Sequence, residues 1–181
     1  MFTIRRQPHR SITKSYLLGL LHDATERKTT YRISQKSKEF VEIIAQGIEF
    51  LGRKSWIYKE GKERDIWIVE FSKSLLKNVK INSSKNKIDY IRGYFDAEGG
   101  IAHKPNVRFY IYFAQKNLKD LRELKNYLLK LGIVCGKTHN PSKKVDPNYW
   151  RFYISKKSYK DFSRIIGSNH PVKSNLLRVK R

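Results

Sequence analysis

Two acidic residues, Asp23 and Glu98, lie where the sequence could bring two carboxylates together. Each lies at or near the end of a mostly apolar segment with a central glycine. Asp23 is the last residue but one of the segment 16–24, and Glu98 is the last residue of the segment 90–98. Glycine inside a helix costs roughly 1 kcal/mol relative to alanine, so close packing of two helices along their glycine faces is the expected compensation. That packing would place Asp23 and Glu98 side by side at the two C-terminal ends.

Two acids at helix C-termini form an unusual pair. A helix C-terminus carries partial negative charge, so the pair repels itself unless a cation joins it. Carboxylate and backbone oxygens suit Mg²⁺, with Mn²⁺ as the alternative ion, and next to a nucleic-acid backbone such an ion can activate water and stabilise a leaving oxygen. The sequence therefore predicts metal-assisted phosphodiester cleavage, with Asp23 and Glu98 as metal ligands. The plainer alternative is a helix-end residue at Asp23 and a solvated acid at Glu98.

The composition favours nucleic acid as the partner. Lys and Arg number 39 and Asp and Glu 16, which gives a formal net charge of +23. Self-repulsion on this scale opposes folding, so a polyanionic partner is expected. Aromatic residues make up 13% of the chain and include eleven tyrosines. This content places the positive charge on a folded body rather than on a disordered tail.

Several other classes of protein are disfavoured. Cys135 is the sole cysteine, which excludes an intramolecular disulfide and a zinc-finger pattern. No apolar run approaches the length of a membrane span, so no membrane partner is expected. The first 22 residues contain no acid, as in an organelle transit peptide, but a basic arm lying along phosphate is the plainer interpretation. We expect an intracellular, cytoplasmic protein of a prokaryote, with an organelle as the alternative.

The chain repeats itself, which predicts two pseudo-symmetric halves. Gln35-Lys36 precedes Gly52 by the same number of residues as Gln115-Lys116 precedes Gly132. We predict an α+β fold in which each half has the order αββαββα, with antiparallel sheets forming a saddle and helices packed at a central two-helix interface. The parts are an N-terminal basic arm (1–14), a first half (15–81), a linker (82–87), a second half (88–167) and a basic C-terminal tail (168–181) that becomes ordered on DNA.

Hydrophobic periodicity predicts the elements within each half, and it places Phe40, Val41, Ile44, Ile48 and Leu51 on one face of the second helix. Helices are expected near residues 12–22, 37–51, 73–77, 88–97, 118–131 and 159–166. Strands are expected near residues 29–35, 55–59, 66–71, 107–115, 136–140 and 149–155. A turn at residues 60–62 joins two of these strands, and Gly52 suits the end of the second helix.

Alternation along the strands predicts which sheet face contacts the partner. Val107, Phe109, Ile111 and Phe113 form one apolar face of the strand 107–115. The predicted DNA-binding residues point the other way or lie in the first hairpin: Arg27, Lys28, Thr30, Arg32, Ser34, Arg108, Tyr110, Tyr112, Tyr149, Arg151 and Tyr153. A two-stranded ribbon fits the major groove. An ordinary solvated face is the alternative, but so many tyrosines are not expected on one.

Residues 91–99, Ile-Arg-Gly-Tyr-Phe-Asp-Ala-Glu-Gly, resemble the signature of the LAGLIDADG homing endonucleases. Residues 17–25 resemble a divergent first copy, and the resemblance covers about residues 15–166. It implies a monomer with two pseudo-symmetric halves that cuts both strands of a long double-stranded DNA site with Mg²⁺ or a similar ion. In this family the last acid of the signature binds the catalytic metal. Polar and basic residues surround the scissile phosphates, and those that match here are Gln35, Lys36, Gln115 and Lys116.

Glu98 occupies the last acidic position of the signature, whereas the first copy departs from the pattern. Ala24 stands at the acidic position, and Asp23 comes one residue early. Either the helix ends one residue early and Asp23 reaches the metal, or this half-site has lost its ligand; we predict the first. Asp96, at the other acidic position, is expected to orient the helix end rather than bind metal.

The leading hypothesis is a site-specific endonuclease that makes a double-strand break. Lys36 and Lys116 would then stabilise developing phosphate charge, with plain backbone contact as the alternative. Three other functions stay open: a non-cleaving LAGLIDADG-type binder, a maturase that assists splicing with intron RNA as its partner, and a nickase if the first half-site is inactive.

Overall fold

The structure of the chain, a computed structural model, describes residues 11–61 and 63–179. Residues 1–10 of the predicted arm, Lys62 of the predicted turn and residues 180–181 of the predicted tail lie outside the described residues. None of the helices that are described is both long and apolar enough to cross a membrane.

Helices and strands follow the predicted order except that the second half lacks one predicted strand and a further helix follows it. The helices are α1 Lys14–Leu20, α2 Lys38–Phe50, α3 Ser84–Glu98, α4 Leu118–Lys130, α5 Tyr159–Asp161 and α6 Pro171–Val179. The strands are β1 Ala24–Glu26, β2 Thr30–Gln35, β3 Ser55–Lys59, β4 Trp67–Ser72, β5 Gly99–Ala102, β6 Tyr110–Gln115 and β7 Trp150–Tyr153. Short 3₁₀ turns cover Leu21–Asp23, Lys73–Leu76 and Lys156–Ser158, and a π turn over Phe162–Ile166 continues α5.

The two glycine-containing helices, α1 and α3, pack directly against each other at the centre. A Cβ atom on Gly19 would lie 2.1 Å from the backbone oxygen of Tyr90, and one on Gly93 would lie 2.0 Å from that of Tyr16. Only glycine permits backbones to approach this closely. The predicted packing along the glycine faces is confirmed.

The first sheet has the antiparallel order β1-β2-β4-β3, and α2 covers its inner face. The apolar face predicted for α2 is confirmed, since Phe40, Val41, Ile44 and Ile48 are all fully buried. Gly52 has a φ of +76° just after the helix, which is the left-handed conformation that ends many helices.

The second sheet has three strands within the described residues, in the antiparallel order β5-β6-β7. The strand predicted at residues 136–140 is wrong, because two isolated bridges, Cys135 to Ile154 and His139 to Arg151, replace it. The backbone amides of Gly136 and His139 bond to the oxygens of Tyr153 and Arg151, so one extra residue lies on this side. That bulge interrupts the ladder.

The strand β6 begins three residues later than the sequence predicts. A turn in which the amide of Val107 donates to the oxygen of Lys104 at 2.9 Å keeps the chain out of the sheet. Val107 is 41% exposed, so its assignment to the apolar face is wrong, and Arg108 precedes the strand rather than lying on it. Ile111 and Phe113 are buried as predicted.

Two boundaries differ from the sequence prediction. The helix α3 begins at Ser84, capped by the Ser83 side chain, so most of the segment 82–87 is helical rather than linker. The expectation that the C-terminal tail is ordered only on DNA is wrong for residues 168–179, which form α6 and its approach. Leu177 is 5% exposed within the core of the second half, and the His170 ring lies 4.6 Å from that of Phe40 in the first half.

Candidate active site

The C-terminal ends of α1 and α3 bring Asp23 and Glu98 into the same region. Burial raises the pKa of Glu98, and the nearby charge of Asp23 raises it further, while Gln115 and Lys173 oppose the rise. Although the Asp23 side chain is exposed, the surrounding protein partly desolvates its carboxylate and so raises its pKa, and Lys173 opposes the rise. The two carboxylates are therefore electrostatic neighbours.

Sheet register shows which residues correspond between the two helix ends. Ile33 and Phe113 each lie two residues before the repeated glutamine. Ala24 is the residue paired with Ile33, and Gly99 is the residue paired with Phe113. The structural counterpart of Ala24 is thus Gly99, the residue after Glu98.

Asp23 consequently occupies the position of Glu98, although it lies one residue closer to its glycine. The reason is the 3₁₀ turn Leu21–Asp23 at the end of α1. A 3₁₀ turn rises about 2.0 Å per residue and an α-helix about 1.5 Å, so three 3₁₀ residues span the same rise as four α-helical residues. The path from Gly19 to Asp23 therefore matches the path from Gly93 to Glu98 in length.

A cleft of about 400 Å³ brings together the predicted residues of the second half. Glu98, Gln115 and Lys116 line it together with Tyr112 and Tyr149 of the sheet. The Gln115 amide donates to the Glu98 carboxylate at 3.3 Å, which holds that acid in place. The predicted catalytic residues of this half thus adjoin its predicted DNA-binding residues.

The first half gives its acid less support. Asp23 is exposed, whereas Glu98 is half-buried. In the part of the chain that the structure describes, Gln35 makes no hydrogen bond to Asp23, and Lys36 is exposed at the end of β2. Lys116 is also largely exposed, with its Nζ 3.8 Å from a carboxylate oxygen of Asp146.

The Asp96 carboxylate, predicted to orient the helix end, is buried and accepts several hydrogen bonds. These come from the Tyr16 hydroxyl at 2.6 Å, from the Asn169 amide at 2.9 Å and from Ser168. The matching position after Gly19 is His22, whose Nε2 lies 2.6 Å from the Tyr90 hydroxyl. Tyr16 of α1 therefore reaches Asp96 of α3, and Tyr90 of α3 reaches His22 at the end of α1.

Lys173 is a site residue that the sequence analysis missed. It extends from α6, and its Nζ donates to the backbone oxygens of Phe95 and Asp96 at 2.7 and 2.8 Å. Burial lowers its pKa, while the charges of Asp96, Asp23 and Glu98 oppose that change. Pro171 at the first helical position and the apolar Leu176-Leu177 pair were the signals that this segment is a helix.

The outer face of the second sheet supports its arginine with tyrosines. The Arg151 guanidinium lies 4.5 Å from the ring centre of Tyr112 and 5.2 Å from that of Tyr149, and it donates to the Tyr149 hydroxyl at 2.6 Å. Tyr110 and Tyr153 make an edge contact at 5.2 Å on the same face. The predicted residues of β6 and β7 thus form one cluster.

The outer face of the first sheet differs, because acidic side chains lie among its polar residues. Arg32 forms an ion pair with Glu60, and Glu70 accepts from the Thr30 hydroxyl and from the Tyr58 hydroxyl, both at 2.5 Å. Sequence analysis did not include the two glutamates or Tyr58, although alternation along β3 and β4 places Tyr58 and Glu70 on this face.

The other predicted DNA-binding residues flank these clusters. Ser34 lies beside Thr30 and Arg32 on the outer face of β2. Arg27 and Lys28 are exposed in the hairpin between β1 and β2, and Arg108 is exposed before β6. They lie around the sheets rather than in the cleft.

The donor set at the helix ends is compatible with a hard cation. No group of three or more His, Cys, Asp or Glu side chains comes together among residues 11–61 and 63–179. Two carboxylates are enough protein ligands for Mg²⁺, because this ion retains several waters in its coordination shell. Backbone oxygens, water and phosphate would supply the remaining ligands. Asp23 and Glu98 fit such an ion in charge and in donor type.

Comparisons with known proteins agree with this architecture. A family model described as a LAGLIDADG-like domain matches residues 85–167, whereas no curated protein matches the chain in sequence. The crystal structure of I-DmoI in complex with DNA and Mn is similar at a TM-score of 0.62 and 22% identity, over 85% of this chain and 95% of that chain. The complex of I-DmoI with DNA and Ca is similar at 0.65 and 21%, over 92% and 96%.

A further similar structure is the N-terminal LAGLIDADG domain of DUF199/WhiA, at a TM-score of 0.65 and 16% identity, over 85% of this chain and 80% of that chain. At such identities the likeness shows the fold. Residues 85–167 match the LAGLIDADG-like domain model, and the chain as a whole shares its fold with I-DmoI.

Proposed function

We propose that the chain is a site-specific DNA endonuclease that makes a double-strand break by metal-dependent phosphodiester hydrolysis. The observation that carries this proposal is the equivalent placement of Asp23 and Glu98 at the ends of the central helix pair, next to two sheet faces with arginine and tyrosine side chains. The homing endonuclease I-DmoI, which is similar in fold, has been crystallised with DNA and divalent ions.

Each residue has a role in this proposal. Asp23 and Glu98 would hold Mg²⁺ or Mn²⁺, which when bound supplies a Lewis acid for water activation and for the leaving oxygen. Gln115 keeps the Glu98 carboxylate oriented, and Gln35 is its counterpart in the first half. Lys36 and Lys116 reach from the strand ends to the phosphates on either side. One chain serves both strands as a monomer, and we place it in the cytoplasm of a prokaryote.

Plasmid cleavage tests this proposal. The substrate is a plasmid in which the two sequences that flank the intron or intein containing this reading frame are joined directly to each other. The expected result is linear plasmid with Mg²⁺ or Mn²⁺ and intact plasmid with EDTA. Tight binding without any cleavage in either ion would overturn the enzymatic proposal. Binding is expected to weaken steeply with salt, because many phosphates would be neutralised.

A non-cleaving nucleic-acid binder is the second candidate. One observation in its favour is that Asp23 is exposed and, among the described residues, accepts no hydrogen bond from Gln35. Another is that the fold is similar to the WhiA domain as well as to an endonuclease. A maturase would bind its intron RNA more tightly than duplex DNA and would enhance splicing. A nickase would convert supercoiled plasmid to open circles and stop there. Competition between intron RNA and target DNA, followed by the plasmid assay, separates these outcomes.

A further inference from the structure

The turn between α2 and β3 forms a hollow of about 490 Å³, which we call the α2–β3 hollow. It is lined by Glu49, Gly52, Arg53, Lys54, Ser55 and Trp56. Arg53 and Lys54 are exposed, and among the described residues neither forms an ion pair with a carboxylate. Glu49 brings a single negative charge to the same hollow, so its formal charge is positive and it attracts anions.

A hydroxyl group in this hollow has no partner within the described part of the chain. The Oγ atom of Ser55 is shielded from solvent and makes no hydrogen bond to a described residue. A buried polar atom without a partner is costly, and a ligand oxygen within reach would offset that cost. The hydroxyl is thus a second observation, independent of the two cations, that points to an anion with acceptor oxygens.

The corresponding turn of the second half has the same backbone but different side chains. Gly52 and Gly132 have φ values of +76° and +77°, and their amides donate to the oxygens of Glu49 and Leu129 at 2.9 and 3.0 Å. The places of Arg53, Lys54, Ser55 and Trp56 are taken there by Ile133, Val134, Cys135 and Gly136. The turn therefore forms without the cations, the hydroxyl or the indole, which favours a binding role for them in the first half.

Trp56 connects the hollow to the outer face of the first sheet. Glu70 pairs with Arg32 on one side and with Trp56 on the other, so these three side chains project to the same face. Neighbouring strands lie about 4.8 Å apart, which places Trp56 about 10 Å beyond Arg32 at the edge of the sheet. Trp56 is 52% exposed, and its indole carries an N–H donor. The hollow therefore begins where the predicted DNA-binding face ends.

We propose that the α2–β3 hollow is a phosphate-binding site that holds the sugar–phosphate backbone of duplex DNA at the outer end of the first half. Arg53 and Lys54 supply the charge, the Ser55 hydroxyl donates to a phosphate oxygen, and the Trp56 indole lies against the deoxyribose. Contacts to phosphate fix the register of a protein on DNA without reading its bases. This proposal rests on the proposed function for the duplex on the sheet face, but its tests measure binding and require no cleavage.

The first test couples the two cations to one end of the duplex. Target duplexes, taken from the joined flanking sequences or selected by binding from a random library, are shortened from either end and titrated by anisotropy in EDTA. Removing the end that reaches the hollow is expected to weaken wild-type binding about 10-fold, because phosphate contacts are lost. Arg53→Gln/Lys54→Gln is expected to bind the full duplex about 10-fold more weakly and not to respond to that shortening.

Lys77→Gln/Lys80→Gln is the matched control, since it removes two exposed lysines from the segment before α3. This control is expected to respond to shortening as the wild type does. The slope of log affinity against log salt concentration is expected to fall by about 2 in Arg53→Gln/Lys54→Gln. If shortening either end weakens the wild type and Arg53→Gln/Lys54→Gln equally, the proposal is wrong.

Tryptophan emission reports whether DNA reaches the hollow. The full duplex is expected to quench wild-type emission, and most of that change is expected to disappear in Trp56→Phe, because Trp67 and Trp150 are less exposed. The shortened duplex is expected to cause little quenching. Equal quenching of Trp56→Phe and the wild type would contradict this placement of the DNA. Inorganic phosphate at constant ionic strength is expected to leave the emission unchanged, and quenching by phosphate alone would contradict the assignment to DNA backbone.

Glu49 gives a test with the opposite sign. Glu49→Gln removes the opposing carboxylate and is expected to tighten binding of the full duplex about 3-fold, without a change for the shortened duplex. Weaker binding by this variant would mean that the hollow takes a donor rather than phosphate, which would refute the proposal. Cleavage without the end-specific coupling would refute the phosphate site alone, whereas the coupling without cleavage would refute the enzymatic proposal alone.

Discussion

The two ends of the central helix pair have the same backbone position but different surroundings. Asp23 and Glu98 match in sheet register, and a 3₁₀ turn compensates for the missing residue at Asp23. Glu98, however, is half-buried and held by Gln115 at 3.3 Å, whereas Asp23 is exposed. The two halves thus agree more closely in the geometry of the helix pair than in the side chains that support each acid.

The two sheets differ in a similar way. Arg151 lies against tyrosines, which leave its guanidinium charge uncompensated, while Arg32 is paired with Glu60. An arginine held on aromatic rings is positioned in advance for a bidentate contact with guanine. An arginine bound to a carboxylate must first give up that partner. The second half therefore has both the better supported acid and the more available arginine.

The largest expected effect concerns the two acids. Glu98→Gln is expected to slow cleavage by roughly 1,000-fold, which corresponds to several kcal/mol of lost metal-assisted stabilisation, and to leave DNA binding intact. Asp23→Asn is expected to slow it less, by roughly 10- to 100-fold, because its acid has weaker support. Single-turnover assays that separate nicked from linear plasmid measure both.

Equal losses from these two substitutions would break the comparison between the helix ends. Unchanged cleavage by Glu98→Gln would remove Glu98 from the mechanism. Nicked plasmid accumulating only with Asp23→Asn would sharpen the comparison, because it would assign one strand to each half.

The helix pair is the feature in which the halves agree, so its glycines should respond alike. Gly19→Ala and Gly93→Ala would each place a methyl group about 2 Å from a backbone oxygen of the other helix, and an expected loss of about 3 kcal/mol in unfolding free energy follows. Urea unfolding measures it, with Gly136→Ala as control, since a Cβ there meets its nearest neighbour at 3.6 Å. A clear difference between the two glycines would contradict the symmetry.

The next effect compares the two arginines. Arg151→Ala is expected to cost roughly 1–3 kcal/mol in DNA affinity and to relax preference at one base position. Arg32→Ala is expected to cost less, because its ion pair with Glu60 is lost at the same time. Anisotropy titrations with single-base target variants measure both, with Arg122→Ala on the exposed side of α4 as control. A larger loss for Arg32→Ala would reverse the comparison of the sheets.

The smallest effect concerns Glu70. Hydrogen bonds from Thr30 and then Tyr58 lower the pKa of Glu70, which favours a carboxylate on the outer face of the first sheet. Glu70→Gln removes repulsion from phosphate and is expected to tighten binding by a factor of about 3, which is a change below 1 kcal/mol. Weaker binding by this variant would mean that Glu70 contacts a base donor, as a specificity residue would.

Much of the fold could be predicted because it depends on local patterns. The glycine spacing predicted the helix pair, the 3.6-residue period predicted the face of α2, and alternation predicted the outward tyrosines. The 3₁₀ turn at Asp23 could not be predicted, because pairing with β2 decides it rather than local preference. The bulge at Gly136 depends likewise on β7. The role of Lys173 in the site could not be predicted, because its partners Phe95 and Asp96 are distant in sequence. The basic composition around Lys173 is also typical of a disordered tail.

The attachment of residues 168–173 to Asp96 has a consequence for biosynthesis. Chains leave the ribosome from the N-terminus, so both glycine helices and the first sheet emerge before this segment does. Until it emerges, the Asp96 carboxylate lacks its Ser168 and Asn169 donors, and the end of α3 lacks the Lys173 ammonium. The acid pair is therefore assembled in two stages, and its electrostatic balance is reached only after both halves have been translated.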